Sequence, residues 1–200
     1  MRKIDITEIR NIAEYEKVRE EMRAEIIALK RNRRVSVGPN LSFVFENRAT
    51  VLFQIHEMVR TERLVDERKI QDEIEAYENL VPGQGELSAT LFIEIPGIAS
   101  MSHQSAIEAV NFFQGFDQGG VVLSAGAAQS AAVFETGFSS DEKMAAVQYL
   151  KFPINPVMAR ELDHAENGVT LSAENGRYKA SAVVGPLMRA ELLRDLREES

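Results

Sequence analysis

The sequence predicts an α+β fold in which N-terminal helices and a β-hairpin pack on a mainly antiparallel sheet. Three observations carry that prediction. Residues 7–31 place Ile9, Ile12, Tyr15 or Glu16, Met22, Ile26 and Leu29 at spacings of three, four or seven, the period of an amphipathic helix. From Val35 the period falls to two, with Val35, Val37, Leu41, Phe43 and Phe45 alternating with other residues. Turn residues then separate successive alternating runs, as at Gly38-Pro39-Asn40 and Asn175-Gly176.

Each element follows in order. Thr7 is the predicted N-cap of the first helix, with Glu8 in its first turn. Its outer side mixes charges in "EYEKVREEMRAE", where pairs four apart support a solvated face. The hairpin comes next, its turn made by glycine and proline chemistry at Gly38-Pro39-Asn40. Asn47 or Thr50 caps a helix over about 50–63, whose buried stripe is Val51, Ile55, Met58 and Val59. Asp66 caps another, with Ile70, Ile74 and Tyr77 inward. The stretch "LVPGQGEL", 80–87, ends it and divides the chain into a helical region with a hairpin, 1–82, and a sheet region, 83–200, sharing one core.

The second region reads as a strand at 88–95, a short helix at 102–113, a bent strand or hairpin at 121–134 and a strand at 146–154. Asn155-Pro156 then supplies a cap and a first-turn proline for a short helix that Gly168 ends. "VTLSAENGRYKASAVV" predicts two strands around a type I′ turn at Asn175-Gly176, and Gly185-Pro186 opens a last helix. From Ser88 the order β-α-β-β-α-β matches a ferredoxin-like arrangement.

Composition excludes several classes of function. The chain has no cysteine, which removes disulfides, thiolate metal sites and cysteine nucleophiles. Its net charge of −8 disfavours nucleic acid unless a basic patch intervenes. The one basic run, "LKRNRR", closes a predicted helix, where cations meet the negative end of the dipole. The polar start and the lack of a long apolar run predict no secretory leader and no membrane span, hence a cytoplasmic protein.

The stretch "FQIHEMVRTER" resembles a zinc-hydrolase helix, but Arg60 stands where the second histidine is needed, and a guanidinium does not ligate zinc. A di-iron bundle needs a pair of Glu-x-x-His motifs on facing helices and no such pair occurs, "GFDQGG" lacks nucleotide-loop order, and no metal set is assigned. What stands out is a concentration of polar heads where the hairpin hands over to its helix: Glu46, Asn47, Arg48, Gln54, His56, Glu57 and Arg60. Asn, Gln and Arg offer multi-point hydrogen bonding, and a helix N-terminus adds N–H donors, a set suited to an anionic ligand. In an enzyme Glu57 or His56 is the base and Arg48 or Arg60 the anion clamp. The alternative is structural: Asn47 caps the helix and the charged residues form ion pairs within the fold.

Residues 15–82 resemble an uncharacterised bacterial family catalogued as a domain of unknown function, number thirty-five-oh-one, through "LK", "RRV", "VG", "FEN", "FQI", "EM" and "R-x-E" in that order. "LSATLFIEI" and "AVQYLKFPI" extend the resemblance more loosely. Members often carry His-Pro before Tyr-Arg near the last hairpin; this chain has "AENGRYK", so no role for that histidine transfers. The resemblance implies a genomic setting near rubrerythrin-like and iron–sulfur oxidoreductase proteins. It therefore implies an accessory protein that docks onto such a partner in a peroxide- or iron-linked redox pathway. An acidic surface favours a basic partner and salt-dependent association. Self-association is a further expectation, and no cofactor is assigned.

Overall fold

The computed structural model describes residues 3–135, 145–164 and 166–198. After a single 3-10 turn at Ile6–Glu8 come α1 (Ile12–Arg31), β1 (Arg34–Val37), β2 (Leu41–Glu46), α2 (Arg48–Thr61) and α3 (Glu67–Glu78). Then follow β3 (Glu86–Ile93), α4 (His103–Asn111), β4 (Val121–Ala125), β5 (Ala128–Ala131), β6 (Val133–Phe134) and β7 (Val147–Pro153). The chain closes with α5 (Pro156–Asp163), β8 (Val169–Glu174), β9 (Lys179–Val183) and α6 (Pro186–Glu198).

Side-chain chemistry at the helix ends sets most boundaries. Asn11, Asn47, Asp66, Ser102 and Asn155 each accept a backbone N–H from the first turn that follows. The predicted cap Thr7 does not start a long helix. Asp5 caps the short 3-10 turn, with Glu8 completing a capping box, the backbone is extended at Ile9, and Asn11 caps α1 afresh. An asparagine four residues downstream offered the better acceptor, and the helix begins there.

The fold class is the expected mixture of helices and antiparallel sheets, but the strands do not take the ferredoxin-like order. They form two sheets, β1-β2-β3-β7-β6 and β5-β4-β8-β9, in which every pairing is antiparallel. A split βαβ sheet places its first and third strands side by side and parallel; here β3 pairs antiparallel with β7, and β4 and β5 leave for the second sheet. The hairpin of the first region hydrogen-bonds to β3 and so continues the sheet of the second region.

The late hairpin also differs from the predicted two-residue turn. Glu174 pairs with Lys179, which leaves a four-residue loop, and Asn175 Oδ1 accepts the N–H groups of Arg177 and Tyr178. That side-chain acceptor stabilises the wider loop.

Period-two alternation sends Leu41, Phe43, Phe45, Leu87, Leu91, Leu150 and Phe152 to one face of the five-stranded sheet. They meet Val121, Leu123, Val169 and Leu171 of the other sheet, with Met158 of α5 and Leu192 of α6 completing this core. A second, smaller core lies on the opposite face. Val51, Ile55 and Val59 of α2 pack there with Ile74 of α3 and Leu80, and Tyr149 of β7 packs against them. Helices therefore roof the face that the alternating pattern fills with polar residues. All six residues of β2 are consequently buried, although only alternate ones are core-facing apolar groups.

Candidate functional site

The seven sequence-predicted residues do not meet at one point; the structure sorts most of them into two groups. The first is spent on the start of α2. Asn47 Oδ1 accepts from Thr50 N at 3.0 Å and Thr50 Oγ1 accepts from Asn47 N at 2.9 Å, a reciprocal cap. Arg48 pairs with Glu8 at 2.6 Å, fastening the 3-10 turn to α2.

The second group joins α1 to α2. His56 is 2% exposed and its ring stacks on Tyr15 at 4.8 Å. Its Nε2 accepts from Arg10 N at 3.1 Å, so the ring proton sits on Nδ1 and donates to Leu52 O at 2.9 Å. Both nitrogens are engaged and the ring is neutral, which leaves no lone pair for a metal. Glu57 accepts from the Tyr15 hydroxyl at 2.7 Å and from Arg19 Nε and Nη2, both at 2.8 Å. The Arg19 hydrogen bonds hold its pKa below the ordinary carboxylate value, while burial, followed by Glu57, raises that of Tyr15. Arg60 Nε donates to Glu16 at 2.7 Å. These contacts make a latch between two helices.

Burial lowers the pKa of His56 from its ordinary 6.5. The unfolded chain therefore binds a proton that the folded chain refuses. The corresponding stability is present above pH 6.5 and is lost as pH falls below it. Glu57 adds a separate loss that begins only near and below 4.5. Thermal melts between pH 7.5 and 5 are expected to show a falling melting temperature that flattens in His56→Gln; equal slopes in both proteins would contradict this assignment.

Glu46 and Gln54 remain, one on β2 and one on α2, and around Glu46 the structure adds residues that sequence reasoning missed. On the helix-covered face of the five-stranded sheet Glu46 stands directly across from Ser88, and Ser88 from Lys151. In the neighbouring row Val44 faces Thr90, and Thr90 faces Tyr149. Glu46 is 2% exposed, Ser88 1% and Thr90 2%. Thr90 Oγ1 donates to Glu46 Oε1 at 2.8 Å. Glu46 Oε2 has no hydrogen bond; Lys30 Nζ at the end of α1 comes to 3.7 Å. Ser88 Oγ has no hydrogen-bond partner, nor has Gln54 Oε1 on the roofing helix. Tyr149 lies close enough for the charge of Glu46 to raise its pKa, after a larger rise from burial. Beyond Ser88, Lys151 is held by Glu86 at 2.9 Å.

Polar atoms without a hydrogen bond in a protein interior cost about 1–3 kcal/mol each, so Ser88 Oγ, Gln54 Oε1 and Glu46 Oε2, the last with only Lys30 at 3.7 Å, call for an explanation. Two are acceptors only, the carboxylate and amide oxygens, and the serine hydroxyl can serve either way. The set therefore suits a group rich in N–H or O–H donors. Among the described residues no cluster of three His, Cys, Asp or Glu side chains is positioned for a metal ion. Ser88 and Thr90 carry no sequence signal beyond strand alternation; only the burial of that polar face distinguishes them.

The basic run at the end of α1 is largely consumed. Arg33 is fully buried and donates to Asp195 through both terminal nitrogens at 2.7 Å and to Glu191 at 3.2 Å. Arg34 contacts Glu94 at 3.3 Å. No helix among the described residues is long and apolar enough to cross a membrane.

A family model described as "Protein of unknown function (DUF3501)" matches residues 3–196. The chain is also similar to a crystal structure of a novel protein of unknown function from Burkholderia pseudomallei K96243. The two are 31% identical with a TM-score of 0.86, over 98% of this chain and 100% of that one. No curated protein matches the sequence. Neither match names an activity, a ligand or a partner.

Proposed function

Since the chain belongs to the family described as "Protein of unknown function (DUF3501)", its role is argued from geometry, and we propose that it is a small-molecule binding protein. Its site is the polar face of the five-stranded sheet beneath α1 and α2, with Glu46 at the centre. The observation that carries this reading is the set of buried oxygens without hydrogen-bond partners on Glu46, Ser88 and Gln54. Such groups favour a compact ligand with N–H donors, and a primary ammonium fits a carboxylate oxygen best. The earlier expectation of an anion gives way, because Arg48 and Arg60 are already paired with Glu8 and Glu16.

Lys30 supports an entry route. Its side chain is 34% exposed, yet its ammonium approaches a carboxylate that is 2% exposed. The stem thus runs from solvent to the site, and its ammonium stands where that of a ligand would. The roof above it is lightly held: Tyr15 is the one buried residue of α1, while Met22, Ile26 and Leu29 are half-buried. Opening the end of α1 and displacing Lys30 would admit an amine.

Calorimetric titration with methylammonium, ethanolamine and putrescine tests this. At least one amine is expected to bind, Glu46→Gln to weaken it tenfold or more, about 1.4 kcal/mol, and Lys30→Met to strengthen it. Absence of binding to wild type and to Lys30→Met, or binding indifferent to Glu46→Gln, would reject the reading. Sequence features support a cytoplasmic location, and family resemblance supports a redox partner of rubrerythrin-like or iron–sulfur type. The exposed apolar side chains Val183 and Leu187 favour a separate partner-binding surface.

A further inference from the structure

A groove of about 300 Å³ runs between β1, β9 and the start of α6. Arg31, Arg34, Val35, Val183, Leu187 and Met188 are among its lining residues, and no lining residue carries a carboxylate. On a chain of net charge −8 this is a locally cationic, apolar place. Arg31 is exposed and has no side-chain partner among the described residues. Arg34 remains 48% exposed beside Glu94 and lies over the Phe92 ring. Val183 and Leu187 are 74% and 67% exposed, large apolar groups standing in water on the rim.

Two further features favour an acidic chain end over any other occupant. The bordering strands β1 and β9 are each the last strand of their sheet, so an extended segment can lie along them. The first backbone bond of α6 runs from Arg189 N to Gly185 O, and Gly185 has no side chain to accept the N–H groups of Leu187 and Met188 ahead of it. Those donors supplement the two guanidinium groups as partners for a carboxylate. A free small acid is a poorer match: ligand sites bury most of a small molecule, whereas this groove leaves its apolar rims open and needs a chain long enough to cover both.

We infer that this groove docks the free carboxy-terminal end of a partner polypeptide whose last side chain is large and apolar. The α-carboxylate pairs with Arg31 and Arg34, and the terminal side chain covers Val183 and Leu187. This surface is independent of the Glu46 site.

The test uses hexapeptides with five randomised positions and a terminal leucine, presented with either a free or an amidated carboxy end, against the full chain. Free-ended peptides are expected to be selected, and the selected sequences to bind at least tenfold more tightly than their amidated forms. Arg31→Glu is expected to reduce that affinity tenfold or more, with Leu187→Asp as a second variant should the first melt early. Equal binding of free and amidated forms, selection of nothing, or full affinity in folded Arg31→Glu and Leu187→Asp overturns the inference. So does competition by hexanoate at concentrations equal to the peptide, which would assign the groove to small acids. Dimerisation abolished by Leu187→Asp, in scattering measurements without peptide, would assign it to a second copy and likewise overturn the inference.

Discussion

Asp195→Ala is expected to lower the stability of the protein by about 3–5 kcal/mol, read as a shift of the urea midpoint with an unchanged slope. The reason lies in what the substitution leaves behind. Arg33 is fully buried, and Asp195, itself 1% exposed, takes two of its hydrogen bonds. Glu191 takes a third at 3.2 Å but also pairs with Arg194 at 3.1 Å, while Arg33 Nε has no partner. Burial works against the charge of Arg33, but the bonds and charges of Asp195 and Glu191 outweigh it, and its pKa stands above the ordinary value. Without Asp195 a guanidinium that cannot shed its proton stays in the interior with one shared carboxylate. The pair also ties the start of β1 to the last helix across 162 residues of sequence, so its loss loosens the closure of the fold. Replacing Arg33, Glu191 and Asp195 together by methionine and leucines is expected to recover most of the stability, because no buried charge then remains in that cluster. A triple variant as unstable as Asp195→Ala would show that the ion pairs contribute packing geometry that apolar groups cannot reproduce.

Arg33 also illustrates what a sequence conceals. Within "LKRNRR" it is one of four similar cations, and nothing nearby distinguishes the buried one from Arg31 in water. Its partners lie at the far end of the chain, and only three-dimensional closure selects them. Local signals fared better where the chemistry is local. Asn47, Asp66 and Asn155 were readable as caps because a side chain reaching its own next turn needs no tertiary partner. The early hairpin was readable for the same reason. Strand order was not: alternation specifies which face a residue takes but not which strand lies beside it, and two sheets look like one until the pairings form. Glu46 was singled out for its proximity to polar neighbours along the chain. Its actual companions, Ser88 and Thr90, are more than forty positions away and join it by register. Alternation marks such a face as polar; whether water or a helix covers it depends on how α2 packs, which no stretch of strand sequence encodes.

The adjacent glycines Gly119 and Gly120 provide the second large effect, and they look interchangeable in "GFDQGG". Gly120→Ala is expected to cost about 3 kcal/mol by overpacking, whereas Gly119→Ala costs about 1 kcal/mol through its backbone conformation. A methyl group on Gly120 would collide with the carbonyl oxygen of Glu174 and lie 3.1 Å from Phe116 Cα. Both are backbone atoms and cannot swing aside. The loop is bolted at that point, since Gly120 N donates to Phe116 O at 3.0 Å and Glu174 N donates to Gly120 O at 2.7 Å. Phe116 is fully buried beneath it, so relief by shifting the loop would disturb the main core. Gly119 is the reverse case: its φ of +86° disfavours a side chain, but a methyl group there meets no atom within 4 Å. Gly168, with open space and no positive φ, completes the series, and alanine there is expected to be neutral or to stabilise by about 0.5 kcal/mol through the unfolded chain. Chemical denaturation of the three variants orders the costs as Gly120, Gly119, Gly168. Equal losses at Gly119 and Gly120 would mean that backbone conformation, not the close approach of the β4 entry loop to the end of β8, governs this corner of the fold.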